Sequence, residues 1–250
     1  MPPSKRARAY ARRRHEAWED RQRKLAAARR RRVVVAVTLV GALVAVTGAS
    51  AVFLINRPAP EPEVTAAADP FADVARYDAP PPPSDAQERT WAVTFRTTAG
   101  EIAAELDGAA APQAVASFLM LARDGFFDGS SCHRLVVGSI LQCGDPTGTG
   151  LGGPGYTFGP IENAPVNDVY PAGTIAMGRQ ADDPQTQGSQ FFVALHDVTI
   201  PADSAGGYTV FGHVTDGLDL LTAVEAGGTV SGGSEGEPAV PVTIEGVDIP

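Results

Sequence analysis

Trp91 to Leu106 reads WAVTFRTTAGEIAAEL. Trp91, Val93 and Phe95 fall on one side of an extended chain, Ile102, Ala104 and Leu106 on one side of the next, and TTAG supplies turn residues between them. Alternation with period two on both arms of a short turn predicts an antiparallel hairpin with one buried face. Pro112 then opens a different period, in which Val115, Phe118, Leu119 and Ala122 recur at helical spacing until Gly125. Further on, GTIAMG, SQFFVAL and YTVFGHV are short apolar runs separated by Gly, Pro and Asp. Leu218, Leu221 and Val224 mark a second helix ended by Gly227 and Gly228, and VTIEGVDI reads as a closing strand. Short strands with two helices predict a mainly β domain over residues 91–250, an antiparallel barrel, closed or nearly so, with helices covering its ends.

Upstream of the hairpin the composition changes twice. Asn56 to Thr90 contains eight prolines, including APPPPS, and no sustained apolar period. Such a segment buries too little surface to offset its chain entropy, so residues 56–90 are expected to form a flexible, partly extended linker. Before it, Val33 to Ile55 runs without a charge. A helix of that length reaches about 34 Å, enough for a hydrocarbon core of roughly 30 Å. Residues 1–32 carry a net charge of +10 and residues 33–250 a net charge of -19.

A basic arm can neutralise nucleic-acid phosphates, but here it abuts an apolar segment, and the expectation is no nucleic-acid partner. The positive-inside rule instead keeps residues 1–32 in the cytoplasm and makes residues 33–55 a single-pass transmembrane signal anchor, with the acidic remainder outside the cell membrane. The competing reading is an export signal cleaved near Ala51, after the small-residue triplet Ala49-Ser50-Ala51, which would release a secreted form. The length of the apolar run and of the basic arm favours the anchor.

The stretch SCHRLVVGSILQCGD, Ser131 to Asp145, holds the only two cysteines of the chain. Cys132 and His133 are neighbours on an apparent strand and point to opposite faces, which argues against a thiol–imidazole dyad. The remaining histidines are scattered, so no zinc site is expected. His133 reads as a partly buried histidine bonded to backbone. The run GDPTGTGLGGPGYTFG, Gly144 to Gly159, lacks the Gly-Lys-Ser/Thr of a P-loop and does not lead into an apolar helix, so it reads as a glycine-rich surface loop. GGSEGE is loop composition, not a nucleophile elbow. Arg134, on a strand with apolar neighbours, is what remains.

GFFDGSSCHRL, LQCGDPTGTGLGGPGY, GTIAMGR, GSQFFVAL and YTVFGHV, in this order, resemble the cyclophilin family of peptidyl-prolyl cis-trans isomerases. The resemblance spans Thr90 to Pro250 and implies an eight-stranded antiparallel β-barrel capped by two α-helices. It implies that Arg134 is the catalytic arginine and that Gln142 helps to hold the substrate backbone. Gln190 and Phe192 then line the site, Ile140 lies in an apolar pocket, and Tyr208 replaces a histidine usual in eukaryotic members. Ser139 stands where the family usually has phenylalanine, and Gly178-Arg179 replaces a common Ala-Asn. His133, Ser139, Gly178 and Arg179 are therefore candidate peptide-contacting positions. The rim tryptophan or leucine has no clear match, and Ile200 or Pro201 stands in for it.

The implied activity needs no cofactor and no metal. The expected partners are proline-containing unfolded or flexible polypeptides, with the membrane engaged through Val33–Ile55 and the domain monomeric. A second reading keeps the fold but not the turnover: a non-catalytic module that binds proline-containing segments as chaperone or scaffold. In an exported protein Cys132 and Cys143 invite a disulfide, and the resemblance to bacterial members includes these paired cysteines. Yet a regular ladder that sets Arg134 opposite Gln142 leaves the cysteines out of step by one residue, so the bond requires a bulge or local twist.

Overall fold

The computed structural model describes residues 76–250. The predicted hairpin forms β1, Thr90–Thr97, and β2, Gly100–Asp107, paired from Thr90↔Asp107 to Thr97↔Gly100. Its buried face is Trp91, Val93, Phe95, Ile102, Ala104 and Leu106, as the alternation predicts. The first helix, α1, is Pro112–Arg123, and α2 is Leu218–Ala226. Ala111 provides no side-chain cap for α1. Instead Glu162, from a distant loop, accepts hydrogen bonds from the backbone N–H groups of Gln113 and Ala114, both at 3.0 Å, placing a carboxylate where the helix has unpaired donors.

The other strands are β3 Ser130–Ser131, β4 Arg134–Val136, β5 Ile140–Cys143, β6 Val169–Tyr170, β7 Thr174–Met177, β8 Phe191–Ala194, β9 Val198–Thr199, β10 Val210–Asp216, β11 Glu235–Gly236 and β12 Thr243–Asp248. β6 and β9 pair with each other, and the rest form one antiparallel sheet in the order β11-β4-β5-β8-β7-β10-β2-β1-β12-β3. The sheet has ten strands where eight were expected. The additions are two-residue strands, β3 and β11, at its two ends. β3 pairs with β12 and runs directly into β4, which pairs with β5, so consecutive chain belongs to opposite ends of the sheet and curls it round.

That curl explains the cysteines. Regular pairing stops at Ser131 and resumes at Arg134, and Cys132 between them donates its N–H to the Val242 carbonyl at 2.8 Å. Because Cys132 lies outside the β4–β5 ladder, parity does not govern it. Arg134 pairs with Gln142, and Cys132 and Cys143 form a disulfide with both residues buried in the core. The core itself is a cluster of rings around α1, where Phe118 packs on Phe95, Phe127, Phe191 and Phe211 with centroids 5.1–5.8 Å apart.

The structure also differs from the linker expected at residues 56–90. Residues 56–75 lie outside the described residues, as do the basic arm 1–32 and the apolar segment 33–55. Residues 76–89 pack against the barrel. Tyr77 donates its N–H to Pro154 O at 2.8 Å and sets its ring against Phe126 and Tyr156. A 3-10 helix, Pro83–Ala86, buries Ala86, and the Trp91 indole donates to the Ala86 carbonyl at 2.8 Å. Proline-rich composition hides this because the segment has no period of its own. It is held by a few anchors and by prolines whose restricted φ lowers the entropy lost on docking.

Two outcomes are expected. Unreduced, unfolded protein will show no reactive thiol, and a Cys132→Ser/Cys143→Ser variant will lose about 2–3 kcal/mol in denaturant unfolding, the contribution of a cross-link closing a short loop. A chain beginning at Trp91 will be about 1–3 kcal/mol less stable in the same measurement than one beginning at Arg76, because the buried indole N–H loses its acceptor.

Candidate active site

Side chains on adjacent antiparallel strands line up in rows, and one row crosses five strands here. Arg134 pairs with Gln142, Gln142 with Phe192, Phe192 with Ala176, and Ala176 with Val210. The neighbouring row, Leu135, Leu141, Val193 and Ile175, belongs to the barrel core. Period two therefore sends the first row to the outer face. Every residue of β8 is buried, because the barrel interior covers one side of the strand and a second apolar cluster covers the other.

At one end of the row Arg134 is held by two acceptors. Its Nη1 donates to Gln142 Oε1 at 3.0 Å and its Nε to Glu235 Oε1 at 2.8 Å. Nη2 has no partner among the described residues, and the side chain is 39 % exposed. Gln142 passes the order on, since its Nε2 donates to Gln190 Oε1 at 2.8 Å and Gln190 Nε2 donates to the carbonyls of Gly150 and Gly152 at 3.1 and 2.9 Å. Those carbonyls are fixed in turn by Asp145. Its buried carboxylate accepts from Thr147 N and Oγ1, both at 2.7 Å, and from Gly152 N at 3.1 Å. Burial works to raise the Asp145 pKa, and the hydrogen bonds from Thr147 and Gly152 outweigh it and lower it below the ordinary carboxylate value. A Cβ at position 152 would collide with that carboxylate, which is what glycine permits there.

His133 does not meet the expectation of a histidine bonded to backbone. Both ring nitrogens are buried without a hydrogen-bond partner among the described residues. Burial pushes its pKa down, Asp145 opposes that shift, and Arg134 adds to it. Burial thus favours the neutral form of the ring beside the guanidinium.

At the other end of the row lies the apolar cluster. Ile140, Tyr170, Ala176, Phe192 and Ala194 are buried in it, and Val136, Ile200 and Tyr208 pack against it. Phe192 and Tyr208 meet edge to face with centroids 5.4 Å apart, and Tyr170 stands 6.1 Å from Phe192. Of the two candidates for the rim, Ile200 belongs to this cluster and Pro201 is exposed. Ser139, in the β4–β5 turn, is half-buried and presents a hydroxymethyl group beside Ile140.

Gly178 donates its N–H to Gln190 O at 2.8 Å, and a Cβ there would lie 3.3 Å from that same oxygen, a tight contact, and 3.6 Å from Gln142 Nε2. Its absence leaves the floor of the groove open beside a cavity of about 750 Å³ that Gln142, Gln190, Gly178 and Tyr156 help to line.

The expected residues thus gather into two adjoining groups. Arg134, Gln142 and Gln190 form one hydrogen-bonded chain, and Ile140, Phe192 and Tyr208 form one apolar wall. Arg179 is the correction. It borders the cavity, but its guanidinium is 1 % exposed and bonded to Asp203, so it does not offer free donors to a peptide.

Two carboxylates that no motif marks hold Arg134 and the β4–β5 turn. Glu235 reaches Arg134 because β11 pairs with β4, Glu235 opposite Val136. Glu225, on α2, accepts from the Gly138 N–H and bonds His196 Nε2 at 2.6 Å, pinning the turn that carries Ser139. Neither has a local signal, since Glu235 stands 101 residues from Arg134 and Glu225 stands 87 from Gly138. Among the described residues no cluster of His, Cys, Asp and Glu is placed to hold a metal ion.

Residues 92–249 match the profile of the family described as cyclophilin type peptidyl-prolyl cis-trans isomerase/CLD. The chain is 41 % identical over 195 residues to the probable peptidyl-prolyl cis-trans isomerase B of Mycobacterium leprae, covering 70 % of this chain and 63 % of the relative. It is 41 % identical over 169 residues to the protein of the same name from Mycobacterium tuberculosis, covering 62 % of this chain and 53 % of the relative. The chain thus spans between about half and two thirds of the length of these mycobacterial relatives. Among solved structures, a cyclophilin-type peptidyl-prolyl cis-trans isomerase of Cryptosporidium parvum, crystallised in the presence of the dipeptide Ala-Pro, is 30 % identical with a TM-score of 0.55, covering 64 % of this chain and 98 % of the other. A family match that takes in both β1 and β12, on a sheet whose row carries Arg134, Gln142 and Phe192, leaves one assignment: the chain belongs to the cyclophilin-type peptidyl-prolyl cis-trans isomerase family.

Proposed function

We propose that the domain isomerises X-Pro peptide bonds in flexible polypeptides. The observation that carries this is the placement of the Arg134 guanidinium, with Nη2 unpartnered among the described residues, on the same row as the apolar wall of Phe192. Amide resonance sets a barrier of about 18–20 kcal/mol to rotation about the peptide bond. As the bond twists, conjugation is lost and the proline nitrogen acquires a localised lone pair. A proline ring seated among Ile140, Phe192 and Tyr208 brings that nitrogen toward the arginine, whose donors then stabilise the twisted state more than either planar one. Gln142 and Gln190 have amide groups suited to an extended backbone alongside. Arginine suits this role better than lysine because its charge is permanent and its donors form a rigid fork.

The setting of the domain is also part of the proposal. Among the described residues no helix is long and apolar enough to cross a membrane, and the segment read as an anchor, Val33–Ile55, lies outside them. Its length, the basic arm before it and the acidic chain after it support a single-pass anchor with the domain outside the cell membrane. The Cys132–Cys143 disulfide agrees with an oxidising compartment. Clients are then exported or cell-envelope proteins, and the domain works as a monomer. Ser139 favours the second reading, a groove that holds proline segments without turnover, since it removes a large ring from the pocket edge.

Isomerisation of a short X-Pro peptide, followed by NMR exchange without a protease, separates the two readings. Arg134→Ala is expected to lower kcat/KM by about 100-fold, the loss typical of removing one preorganised donor to a transition state. Wild-type protein no faster than Arg134→Ala, with peptide binding intact in both, would establish the binding module instead. Ser139→Phe is expected to lower KM by about 2- to 10-fold, the gain from one added aromatic contact, with kcat changed less.

A further inference from the structure

Arg179 is the most heavily bonded side chain beside the groove. All five of its N–H donors have partners. Nη1 and Nη2 meet Asp203 Oδ2 and Oδ1 at 2.9 Å each, a two-pronged fork on one carboxylate. Nη1 also donates to Gln180 O at 2.9 Å, Nη2 to Gly206 O at 2.6 Å, and Nε to Gly207 O at 2.9 Å. The Asp203 carboxylate accepts further from Asp182 N at 3.0 Å and Ala205 N at 2.9 Å, and Asp182 in turn accepts from Ser204 Oγ at 2.7 Å. Asp203 to Gly207 is thereby closed on itself and tied to the loop after β7.

The next residue is Tyr208, and the guanidinium carbon of Arg179 lies 4.6 Å from the centre of its ring. The Tyr208 N–H donates to Tyr170 Oη at 2.8 Å, and the ring edge meets Phe192. A Cβ on Gly207 would stand 2.7 Å from that same Oη, so the backbone approaches too closely for a side chain there. An ion pair with one partner buried is weak evidence for added stability, because desolvation offsets its attraction. A pair that satisfies every donor and ends under one ring has a geometric role to fill.

We propose that the Arg179–Asp203 pair is a positioning device for peptide affinity, fixing Tyr208 as the wall of the proline pocket without itself touching the peptide. This rests on the reading of the groove as a proline-peptide site. Asp203 is held below the ordinary carboxylate range, first by the hydrogen bonds from Arg179, so the pair stays ionised at working pH. Lysine at 179 keeps the charge and loses the fork, and no lysine geometry satisfies the carboxylate and the carbonyls of Gly206 and Gly207 together.

The test is a set of variants of the full chain, Arg179→Lys, Asp203→Asn, Tyr208→Ala and the double variant Arg179→Lys/Tyr208→Ala. Each is titrated with an Ala-Pro-containing tetrapeptide by NMR to give Kd, and assayed for kcat and KM by exchange. Arg179→Lys and Asp203→Asn are each expected to raise Kd and KM by about 2- to 10-fold, the scale of one misplaced aromatic contact, with kcat within about twofold. In the Tyr208→Ala background Arg179→Lys is expected to change Kd by less than about twofold, since the contact through which it acts is gone. A purely structural role would lower the melting temperature without this non-additivity.

Unchanged Kd in Arg179→Lys, or effects of Arg179→Lys and Tyr208→Ala that multiply, overturns the inference. Should Arg179→Lys fail to fold, Asp203→Asn, alone and with Tyr208→Ala, decides it by the same criteria. Failure of the unsubstituted protein to bind the tetrapeptide overturns the proline-site reading and this inference with it. Binding that neither substitution weakens overturns the inference alone.

Discussion

The register of four strands governs the working face of this domain. With Arg134 opposite Gln142, Gln142 opposite Phe192, and Phe192 opposite Ala176, a cation, an amide and an aromatic ring stand in one line at the strand spacing of about 4.8 Å. A slip of one residue between β5 and β8 would send Phe192 into the barrel and Phe191 out of it. Phe191 resists that slip because its ring packs on Phe95, Phe118, Phe127 and Phe211. Core packing thus fixes the register, and the register places the site.

Much of this was legible in the sequence, for a physical reason that also marks where legibility ended. The β1–β2 hairpin and α2 followed from periodicity, because each buries one face and exposes the other, whereas α1 is buried nearly all round and was marked by its apolar spacing between Pro112 and Gly125. Arg134, Gln142, Gln190, Phe192 and Ile140 were named from motifs, and the fold places them on one face of the sheet. The disulfide was left open by parity, since nothing local shows that pairing breaks between Ser131 and Arg134. The packing of residues 76–89 was missed because prolines and acids give no period, while Ala86 and Tyr77 dock as isolated anchors. Glu235 and Asp203 were missed because a carboxylate in a glycine-rich loop looks the same in sequence whether it faces water or an arginine.

The groove combines two kinds of order. Its polar half is a relay of directed bonds, from Glu235 through Arg134, Gln142 and Gln190 to the Gly150 and Gly152 carbonyls, and any one link constrains the next. Its apolar half is set by packing, with Tyr170 completely buried behind Phe192 and Tyr208. The proposed proline-containing substrate calls for both, because the ring has only shape to offer and the amide has only polarity. The two halves meet at β5, where Ile140 and Gln142 share a face.

Two arginines border this groove, and their partners leave them differently placed for the roles proposed above. Arg134 has one carboxylate, Glu235, on Nε and one amide oxygen on Nη1, and its Nη2 remains unbonded to any described residue. Arg179 has every donor filled and its ring-facing side closed by Tyr208. A guanidinium catalyses only through donors that are not already satisfied, since one with all five bonds made has to break some of them to engage a substrate. Residue type alone cannot separate the two, for each is an arginine beside a short strand: Arg134 opens β4 and Arg179 follows the end of β7 by two residues. The separation comes from where the chain places its acids: β11 brings Glu235 against one end of the Arg134 fork and leaves the other end open, whereas the loop before Tyr208 brings Asp203 onto the whole of the other fork.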